Sequence, residues 1–521
     1  MSCPFLLLMV HESLLGALES ACARGADREA ITYGTARLTY RQVWDDVTAL
    51  GRAYRRLGLK PGARVLCHLA NRPEYLVALG GAWWCGAVHV GVDSECTSSE
   101  LERVIRLTGA EALVCEVASA TQPSGISVTV VCNGDAPQGG HTFAKLVAMG
   151  REVDLLAAHP LSPGDPAVIF ISSGTSGTPK ATIGFHGNLS ARWQRLAAWL
   201  QFGTGDTHLA PLPLTHGFGL MMTFAALFGG SRVVLQRTFR ASDALDAIAA
   251  EHITVFNGTP THFRLLLREL ERAPNDVRSL RLSAGTAAAF PPGLVQQIWD
   301  QLGVELVVMY GSSEGVGVAT SDRNDILLGS VGRPQAGAAK VIGPDGSALP
   351  PGAIGEIAFS RTIYPVRYWE NRASPAARSD DVWFRSGDLG KIDDEGRLFV
   401  YGRLTRLIDR GGMKIDPVEV ERVLLALPGI ADAAVVPLPN PMLGEIVCAC
   451  VVVAPASHPT LDELRWALGT ELASFKLPEE LCILEEIPRT SFGKVRMDAL
   501  NAVVALARER HTSVTSRDRA G

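Results

Sequence analysis

The sequence predicts an α/β protein with a large N-terminal domain of helix-covered, mostly parallel sheets, a β-rich subdomain, and a small mobile α+β C-terminal domain. Three observations predict this. The 521 residues exceed the usual size of one domain. Short apolar runs typical of strands alternate with helical stretches, as in parallel sheets. The sequence texture then changes near residue 340 and again just after residue 402.

The N-terminal elements follow in order. Residues 12–58 predict a helix, a short strand pair in "AITYGTARLTY", and a second helix. Strand-like runs such as "ARVLCHLA", "VTVVC" and "ELVVMYG" then alternate with helical stretches such as "PEYLVALGGAWWCGA" and "THFRLLLRELERA". In sheets of this kind, ligands bind where the carboxyl ends of strands give way to loops.

The last third of the chain has a different pattern. "GPDGSALPPGAIGEIAFS" contains the turns and short strands of a small β-rich unit. "DPVEVERVLLALPGI", "VCACVVVA" and "TLDELRWALGTEL" then predict a compact α+β module. We place the domain boundary between residues 402 and 403, so that residues 1–402 form the N-terminal core and residues 403–521 form the mobile domain.

Composition excludes several classes of protein. The net charge of −5 gives no general attraction to nucleic acid or to an anionic membrane. No uninterrupted apolar stretch reaches the ~18 residues that span a bilayer. The apolar run from Pro4 to Val10 is short and lacks a basic residue ahead of it, unlike a secretory signal. The ten cysteines show no C-x-x-C pair, so we expect reduced thiols in a cytoplasmic protein.

The stretch "SSGTSGTPKAT", residues 172–182, is the first candidate site. It follows the apolar run "AVIFI", and its glycines, hydroxyls and single lysine suit a concave site for phosphate oxygens. It is not a Walker A loop, because its two glycines are too close together and Pro179 precedes Lys180. A solvated linker rich in turn residues is the alternative. The candidate phosphate-binding residues are Ser172, Ser173, Gly174, Thr175, Ser176, Gly177, Thr178 and Lys180.

Four further turns carry polar groups that suit a nucleotide. "MYGSSEG" places Glu314 after a predicted strand, where a carboxylate could bind Mg²⁺. "FRSGDLG" supplies Asp388, which could accept hydrogen bonds from both hydroxyls of a ribose. "YGR" supplies Arg403, and "PRTSFGKVRM" places Lys494 on a glycine turn.

Together, the order and spacing of these five motifs resemble the adenylate-forming superfamily, which includes acyl- and aryl-CoA synthetases, adenylation domains of nonribosomal peptide synthetases, and luciferases. The resemblance covers residues 12–500. It implies ATP-dependent activation of a carboxylic acid to acyl-AMP with release of pyrophosphate, followed by thioester formation with coenzyme A. ATP, Mg²⁺ and coenzyme A are the implied cofactors.

The resemblance also assigns roles to single residues. Lys494 is the implied catalytic lysine, Ser313 contacts the α-phosphate, and Glu314 holds the metal. The implied ATP- and AMP-binding residues beyond the phosphate loop are Gly285, Thr286, Ala287, Tyr310, Asp388 and Arg403. Gly411 and Gly412 approach the pantetheine arm, and Thr405 is the hinge.

Three positions depart from the family pattern. Ala181 and Thr405 replace the usual Gly and the usual Asp or Lys, and Arg367 stands where Gly usually precedes the tyrosine. A non-catalytic nucleotide-binding relative is therefore one alternative. The intact Lys494, Glu314 and Asp388 favour an enzyme.

The acid itself is predicted from the pocket residues that the resemblance implies. These residues are His216, Phe218, Met221, Phe263, Gly311 and Val316. They are mostly apolar, which favours an aryl, alicyclic or medium-sized aliphatic acid. Relatives that activate amino acids carry an Asp in the segment matching "LTHGFGL", and this chain has none there, so an α-amino acid is not expected.

The thiol acceptor is left open between coenzyme A and the phosphopantetheine of an acyl carrier protein. We expect a monomer or homodimer with no nucleic-acid or membrane partner.

Overall fold

The computed structural model describes residues 11–117, 123–153, 156–173, 179–286, 290–312, 317–320, 322–369, 382–454, 457–490 and 493–517. The strands, in chain order, are β1 Glu29–Tyr33, β2 Ala36–Thr39, β3 Arg64–His68, β4 Val88–Val92, β5 Ala112–Cys115, β6 Val128–Val131, β7 His141–Thr142, β8 Pro166–Ser173, β9 Pro179–Phe185, β10 Thr207–Ala210, β11 Arg232–Leu235, β12 Val255–Gly258, β13 Leu282–Gly285, β14 Glu305–Gly311, β15 Gly317–Thr320, β16 Ser330–Gly332, β17 Ala339–Ile342, β18 Gly355–Ser360, β19 Trp383–Ile392, β20 Leu398–Arg403, β21 Ile408–Arg410, β22 Met413–Ile415, β23 Ile430–Asn440, β24 Gly444–Val453 and β25 Glu480–Ile483.

The helices connect and cover these strands. They are α1 Leu14–Arg24, α2 Tyr40–Arg56, α3 Pro73–Cys85, α4 Ser98–Thr108, α5 Phe143–Arg151, α6 His186–Trp199, α7 Gly217–Gly229, α8 Ala241–Ala250, α9 Pro260–Arg272, α10 Pro292–Leu302, α11 Arg323–Leu327, α12 Pro417–Leu424, α13 Leu461–Leu468 and α14 Met497–Arg517.

Two large sheets form the N-terminal part of the molecule. One is eight-stranded, in the order β15-β14-β13-β12-β10-β11-β1-β2, and the other is seven-stranded, in the order β7-β6-β5-β3-β4-β8-β9. Adjacent strands from β14 to β1 in the first sheet, and from β7 to β8 in the second, are parallel. The predicted strand pair near the N-terminus is β1 and β2, which are antiparallel.

The helices α3 and α7 are packed between apolar layers. Trp83 and Trp84 are 0% and 3% exposed on α3. This helix begins with Pro73, whose fixed φ suits a first turn, and ends at Gly86, which has a φ of +81°. Because α7 is apolar on nearly every face, it can only be stable in a buried position such as this.

Two smaller sheets follow in the chain. The order β16-β20-β19-β18-β17 forms an antiparallel five-stranded sheet, which is the predicted β-rich unit. The last sheet has the order β22-β21-β24-β23, with β25 alongside β24, and carries α12 and α13. The predicted fold class is confirmed.

Among the described residues, none of the helices is long and apolar enough to cross a membrane. Cys448 and Cys450 lie on one face of β24 inside an apolar cluster, as the alternation of a strand predicts. Within the residues that the structure describes, no group of three or more His, Cys, Asp or Glu side chains could hold a metal ion.

His208 on β10 provides a test of the folded core. Its ring is 1% exposed, lies edge-on to Phe202 at 4.2 Å, and has no hydrogen-bond partner at either nitrogen within the described residues. Burial, as the main cause, lowers its pKa to about 3. The folded state therefore keeps this ring neutral, whereas the unfolded chain protonates it below pH ~6.5.

We expect His208→Phe to shift the pH dependence of stability. His208 has a depressed pKa in the folded state, so its stabilising contribution is full above pH ~6.5 and is lost as pH falls toward 3. Relative to the parent, the variant should gain about 1.4 kcal/mol per pH unit below pH ~6.5. Thermal denaturation of both proteins between pH 7.5 and 5 measures this difference. A midpoint difference that is constant with pH contradicts it, whatever its size at pH 7.5.

Candidate functional site at the carboxyl edges of the two large sheets

The carboxyl ends of four parallel strands meet at one edge of the eight-stranded sheet. The strands β10, β12, β13 and β14 run in the same direction, with Gly258 opposite Gly285 and Gly285 opposite Val308. The segments that leave this edge therefore begin close together. They contain His216, Thr259 and Thr286, and β14 itself ends at Gly311.

Strands β4 and β8 of the seven-stranded sheet end beside the segment that carries His216. A Cβ atom built on Gly91, near the end of β4, would lie 3.2 Å from Cα of Thr215. A Cβ atom on Gly217 would lie 3.7 Å from the Phe170 ring of β8. The strand that leads into the 172–182 loop therefore ends beside the segment that carries His216.

Asn71 holds the backbone of the segment that leads to His216. Its buried side chain donates from Nδ2 to the carbonyl of Leu212 at 2.9 Å and accepts from N–H of Leu214 at 2.8 Å. The side chain of Asn71, which follows β3, thus bonds one carbonyl and one N–H of the segment that follows β10 in the other sheet. Sequence reasoning missed this residue. The available signal was a polar residue between a predicted strand and the Pro that opens the next helix.

His216 is neutral in this setting. It is the N-cap of α7, and its Nδ1 accepts from N–H of Phe218 at 3.5 Å. Burial, and then the positive charge of Lys494, lower its pKa to about 3. Since Nδ1 is an acceptor, the neutral ring carries its proton on Nε2 and can donate a hydrogen bond from there.

Gly285 is the last residue of β13, and Thr286 follows it. The Thr286 hydroxyl donates to the carbonyl of Met309 at 2.8 Å, and its N–H donates to the carbonyl of Gly258 at 3.3 Å. These bonds tie Thr286 to the neighbouring strands on both sides. A Cβ atom on Gly285 would lie 2.2 Å from Cζ of the buried Phe290, so glycine is required there by close packing.

Tyr310, Asp388 and Arg403 form a hydrogen-bonded group between the eight-stranded sheet and the β-rich sheet. The Tyr310 hydroxyl donates to Oδ2 of Asp388 at 2.6 Å, and Arg403 Nε lies 2.9 Å from Oδ1. Asp388 and Arg403 are direct register partners of β19 and β20. Burial, followed by the charge of Asp388, raises the pKa of Tyr310, which keeps the hydroxyl as the donor.

Lys494 lies on a turn that reaches this same edge from the C-terminal part of the chain. Its neighbour Gly493 has a φ of +78°, and a Cβ atom there would lie 2.8 Å from Oγ1 of Thr259 and 3.6 Å from Cβ of Thr261. The turn therefore packs against the start of α9. Lys494 itself is exposed, and its charge acts on His216.

The 172–182 loop is described only at its two stems. Ser172 pairs with Lys180 in the antiparallel register of β8 and β9, and Lys180 is exposed. Gly174, Thr175, Ser176, Gly177 and Thr178 lie outside the described residues. So do Ala287, Ser313, Glu314 and Val316, while Ser173 is described only as a strand residue. Their predicted roles stay predictions.

The predicted acyl-pocket residues differ in exposure. Met221 is partly buried, Gly311 is exposed, and Phe218 is 8% exposed among apolar side chains that include Met309. Phe263 is fully buried between Phe256 and Phe290, with ring centroids at 5.2 and 5.6 Å. In this arrangement Phe263 is part of the core beneath the carboxyl edge of the eight-stranded sheet. Its contact with an acid stays a prediction.

Gly411 and Gly412 occupy the two-residue loop of the β21–β22 hairpin. Their φ angles of +59° and +89° fit a hairpin turn that requires left-handed backbone at both positions. Both glycines are exposed. Thr405, the predicted hinge, lies in a single 3-10 turn, Leu404–Arg406, between β20 and β21.

The departure at Arg367 has a structural explanation. The backbone of this segment extends the seven-stranded sheet, because N–H of Ile183 donates to the carbonyl of Arg367 at 2.9 Å. The Arg367 guanidinium lies 5.5 Å from the centre of the Phe185 ring, where glycine would offer nothing to pack. His186 accepts from N–H of Leu14 at 3.3 Å and begins α6.

Comparison with solved structures shows a shared fold. The chain superposes on an anthranilate CoA ligase, AuaEII, solved in complex with anthranoyl-AMP, with a TM-score of 0.86 over 96% of this chain and 99% of that one. The two chains are 23% identical, so this similarity shows the fold alone.

Family models identify the chain more specifically. Residues 18–369 match the AMP-binding enzyme family, and residues 419–494 match the AMP-binding enzyme C-terminal domain. The chain belongs to the AMP-binding enzyme family, in the acyl- and aryl-CoA synthetase branch of the adenylate-forming superfamily.

Two curated relatives are similar over most of their length. A feruloyl-CoA synthase of Amycolatopsis sp is 30% identical over 482 residues, which is 89% of this chain and 94% of the relative. A fatty acid–[acyl-carrier-protein] ligase of Streptomyces coeruleorubidus is 30% identical over 473 residues, which is 88% of this chain and 90% of the relative.

We expect Gly285→Ala to destabilise the protein by about 1–3 kcal/mol, because the added methyl group overlaps the Phe290 ring and forces it to move. The measurement is the midpoint of thermal denaturation. Gly293→Ala is the matched control, since a Cβ atom there meets nothing within 4 Å in the first turn of α10. Equal midpoints for the two variants would show that Gly285 is not a packing requirement.

Proposed function

We propose that the chain is an AMP-forming acid–thiol ligase that activates an aryl, alicyclic or medium-sized aliphatic carboxylic acid and transfers the acyl group to coenzyme A. The observation that carries the proposal is the position of the Lys494 turn. It packs against Thr259 at the carboxyl edge where the segments bearing His216 and Thr286 also begin. Family membership supplies the reaction class.

The first step joins an anion to a polyanion. A carboxylic acid with a pKa near ~4 is already ionised at neutral pH and needs no general base. Its oxygen attacks the α-phosphorus of ATP, the bond from that phosphorus to the bridging oxygen breaks, and pyrophosphate leaves. The protein must therefore neutralise and position charge. In this proposal Lys494 supplies positive charge, while the donors of the 172–182 loop hold the outer phosphates.

The nucleoside is assigned to the group formed by Tyr310, Asp388 and Arg403. The Asp388 carboxylate is 8% exposed and already held by two donors, so its orientation is fixed before a ribose arrives. Preorganised acceptors of this kind bind hydroxyl groups without a further ordering cost. The resemblance and the geometry support the same role for these residues.

Magnesium remains a prediction. The candidate ligand Glu314 lies outside the described residues. When bound, Mg²⁺ would shield phosphate charge.

The second step needs a different arrangement. The thiol loses its proton to water, its sulfur bonds to the carbonyl carbon of the mixed anhydride, and the bond from that carbon to the phosphate oxygen breaks so that AMP leaves. In the described arrangement, Lys494 is close to His216 whereas Gly411 and Gly412 are exposed on a hairpin. We therefore propose that the C-terminal module, residues 403–521, turns about Thr405 between the two steps. This rotation would move Lys494 away from His216 and bring the Gly411–Gly412 hairpin to the same edge in its place.

The acid class is argued from the segment that includes His216. Residues 213–222 contain no Asp or Glu to pair with an α-ammonium group. Phe218 and Met221 on α7 offer apolar surface, and neutral His216 adds one donor. An acid with an apolar body suits this environment better than an amino acid.

An acyl carrier protein is the second candidate acceptor, favoured by the similarity to the carrier-protein ligase described above. A cytoplasmic location and a monomeric or homodimeric state are further predictions.

The deciding experiment is an exchange assay with labelled pyrophosphate and ATP over a panel of acids, followed by addition of coenzyme A or of a phosphopantetheinylated carrier protein. We expect exchange with aryl, alicyclic or medium aliphatic acids, none with amino acids, and thioester formation with coenzyme A. Lys494→Ala is expected to lose exchange while its thermal denaturation is unchanged, because the side chain is exposed. Exchange that is independent of every acid, or unchanged in Lys494→Ala, would contradict the proposal.

The hairpin glycine offers a test of the second step. Gly412→Leu should reduce thioester formation from supplied acyl-AMP at least tenfold while acid-dependent exchange stays within about threefold. Gly412→Ala is the control for backbone strain at a φ of +89°, since both variants share that strain and only leucine adds bulk. A parallel loss of both activities in Gly412→Leu would argue against the exchange of modules.

A further inference from the structure

Arg489 contacts the turn that carries Lys494. Its Nη1 donates to the carbonyl oxygen of Gly493 at 2.9 Å, on the residue directly before Lys494. The two limbs of the turn are joined by an N–H of Thr490 that donates to the carbonyl of Lys494 at 2.8 Å, and by a bridge between Arg489 and Val495. The guanidinium therefore bonds the turn at Gly493, the residue before Lys494.

Asp432 fixes the direction of that guanidinium. Arg489 Nη2 lies 2.8 Å from Oδ1 and Nε lies 3.1 Å from Oδ2, which is a forked pair between largely buried side chains. Asp432 is part of β23 and pairs there with Val452 of β24. The orientation of the turn is thereby tied to the β23–β24 strand pair of the C-terminal module.

The pair also lies at the contact between the two modules. Arg264, one turn into α9, is close enough to Asp432 and Arg489 for both charges to act on it, although burial is the main cause that lowers its pKa. Thr259, just before α9, packs against Gly493. The ion pair and the turn therefore face the same helix of the N-terminal part.

We propose that Arg489 is a positioning residue for Lys494, oriented by Asp432, and that it serves the acid-activating step and not thioester formation. The inference rests on the proposed function, since it assigns a role within that reaction. Arg489 reaches the Gly493 carbonyl, so it acts on the direction of the Lys494 backbone and does not itself contact the reactants. Misplacing a reacting group by about 1 Å can lower a rate about 100-fold.

The test compares two half-reactions in Arg489→Met, which keeps the length of the side chain and removes its donors. We expect acid-dependent pyrophosphate exchange to fall about 10- to 100-fold, while conversion of supplied acyl-AMP and coenzyme A to thioester stays within about twofold. Arg508→Met is the matched control. Arg508 pairs with Glu480 at 3.0 Å in the same module but lies on α14, away from the turn, so both half-reactions should be unchanged.

Two further variants separate positioning from folding. Arg489→Lys keeps the charge but cannot bond Asp432 as a fork while also reaching the Gly493 carbonyl, so exchange should still fall at least fivefold with an unchanged denaturation midpoint. In a Lys494→Ala background, adding Arg489→Met should lower the residual exchange by less than twofold, because the residue acts through Lys494.

The outcomes distinguish this inference from the proposed function. Equal loss of both half-reactions in Arg489→Met, full exchange in Arg489→Lys, or an additive loss in the Lys494→Ala background each contradict the role of Arg489. The proposed function fails instead if the unaltered protein shows no exchange with any acid of the panel. Loss of exchange confined to the first half-reaction supports the positioning role.

Discussion

The close approach of Gly493 to the start of α9 is the contact on which the site depends. A backbone with a φ of +78° and no Cβ atom lets the turn lie against Thr259 and Thr261. This contact brings a lysine from the C-terminal part of the chain to the carboxyl edge of the eight-stranded sheet. Without it, the positive charge of Lys494 would have no defined relation to the segments that carry His216 and Thr286.

The rest of the architecture explains why that edge is available. Parallel strands send their carboxyl ends in one direction, and the two large sheets meet where Gly91 approaches Thr215. Asn71 then holds the segment before His216 by its backbone. Glycine at a strand end, as at Gly285, leaves room for a neighbouring ring, and polar side chains such as Asn71 bond the backbone groups of the segments that follow the strands.

Local patterns were sufficient for the class of fold and for the family. The pairing of β1 with β2, the helix α3 and the strand β8 all follow from periodicity and turn residues. The Arg489–Asp432 pair could not be predicted, because its members are 57 residues apart and meet only through the topology of the last sheet. The burial of Phe263 could not be predicted either. The sequence pattern of an apolar residue that lines a pocket is the same as that of one in the core directly behind the pocket.

The most direct test of the central contact compares Gly493→Ala with Gly412→Ala. Both substitutions place a Cβ atom on backbone with a positive φ, but only at residue 493 does that atom meet another residue, Thr259, whose Oγ1 would lie 2.8 Å away. We predict that Gly493→Ala lowers acid-dependent pyrophosphate exchange at least tenfold, whereas Gly412→Ala keeps it within about threefold. Equal exchange in the two variants would contradict the account.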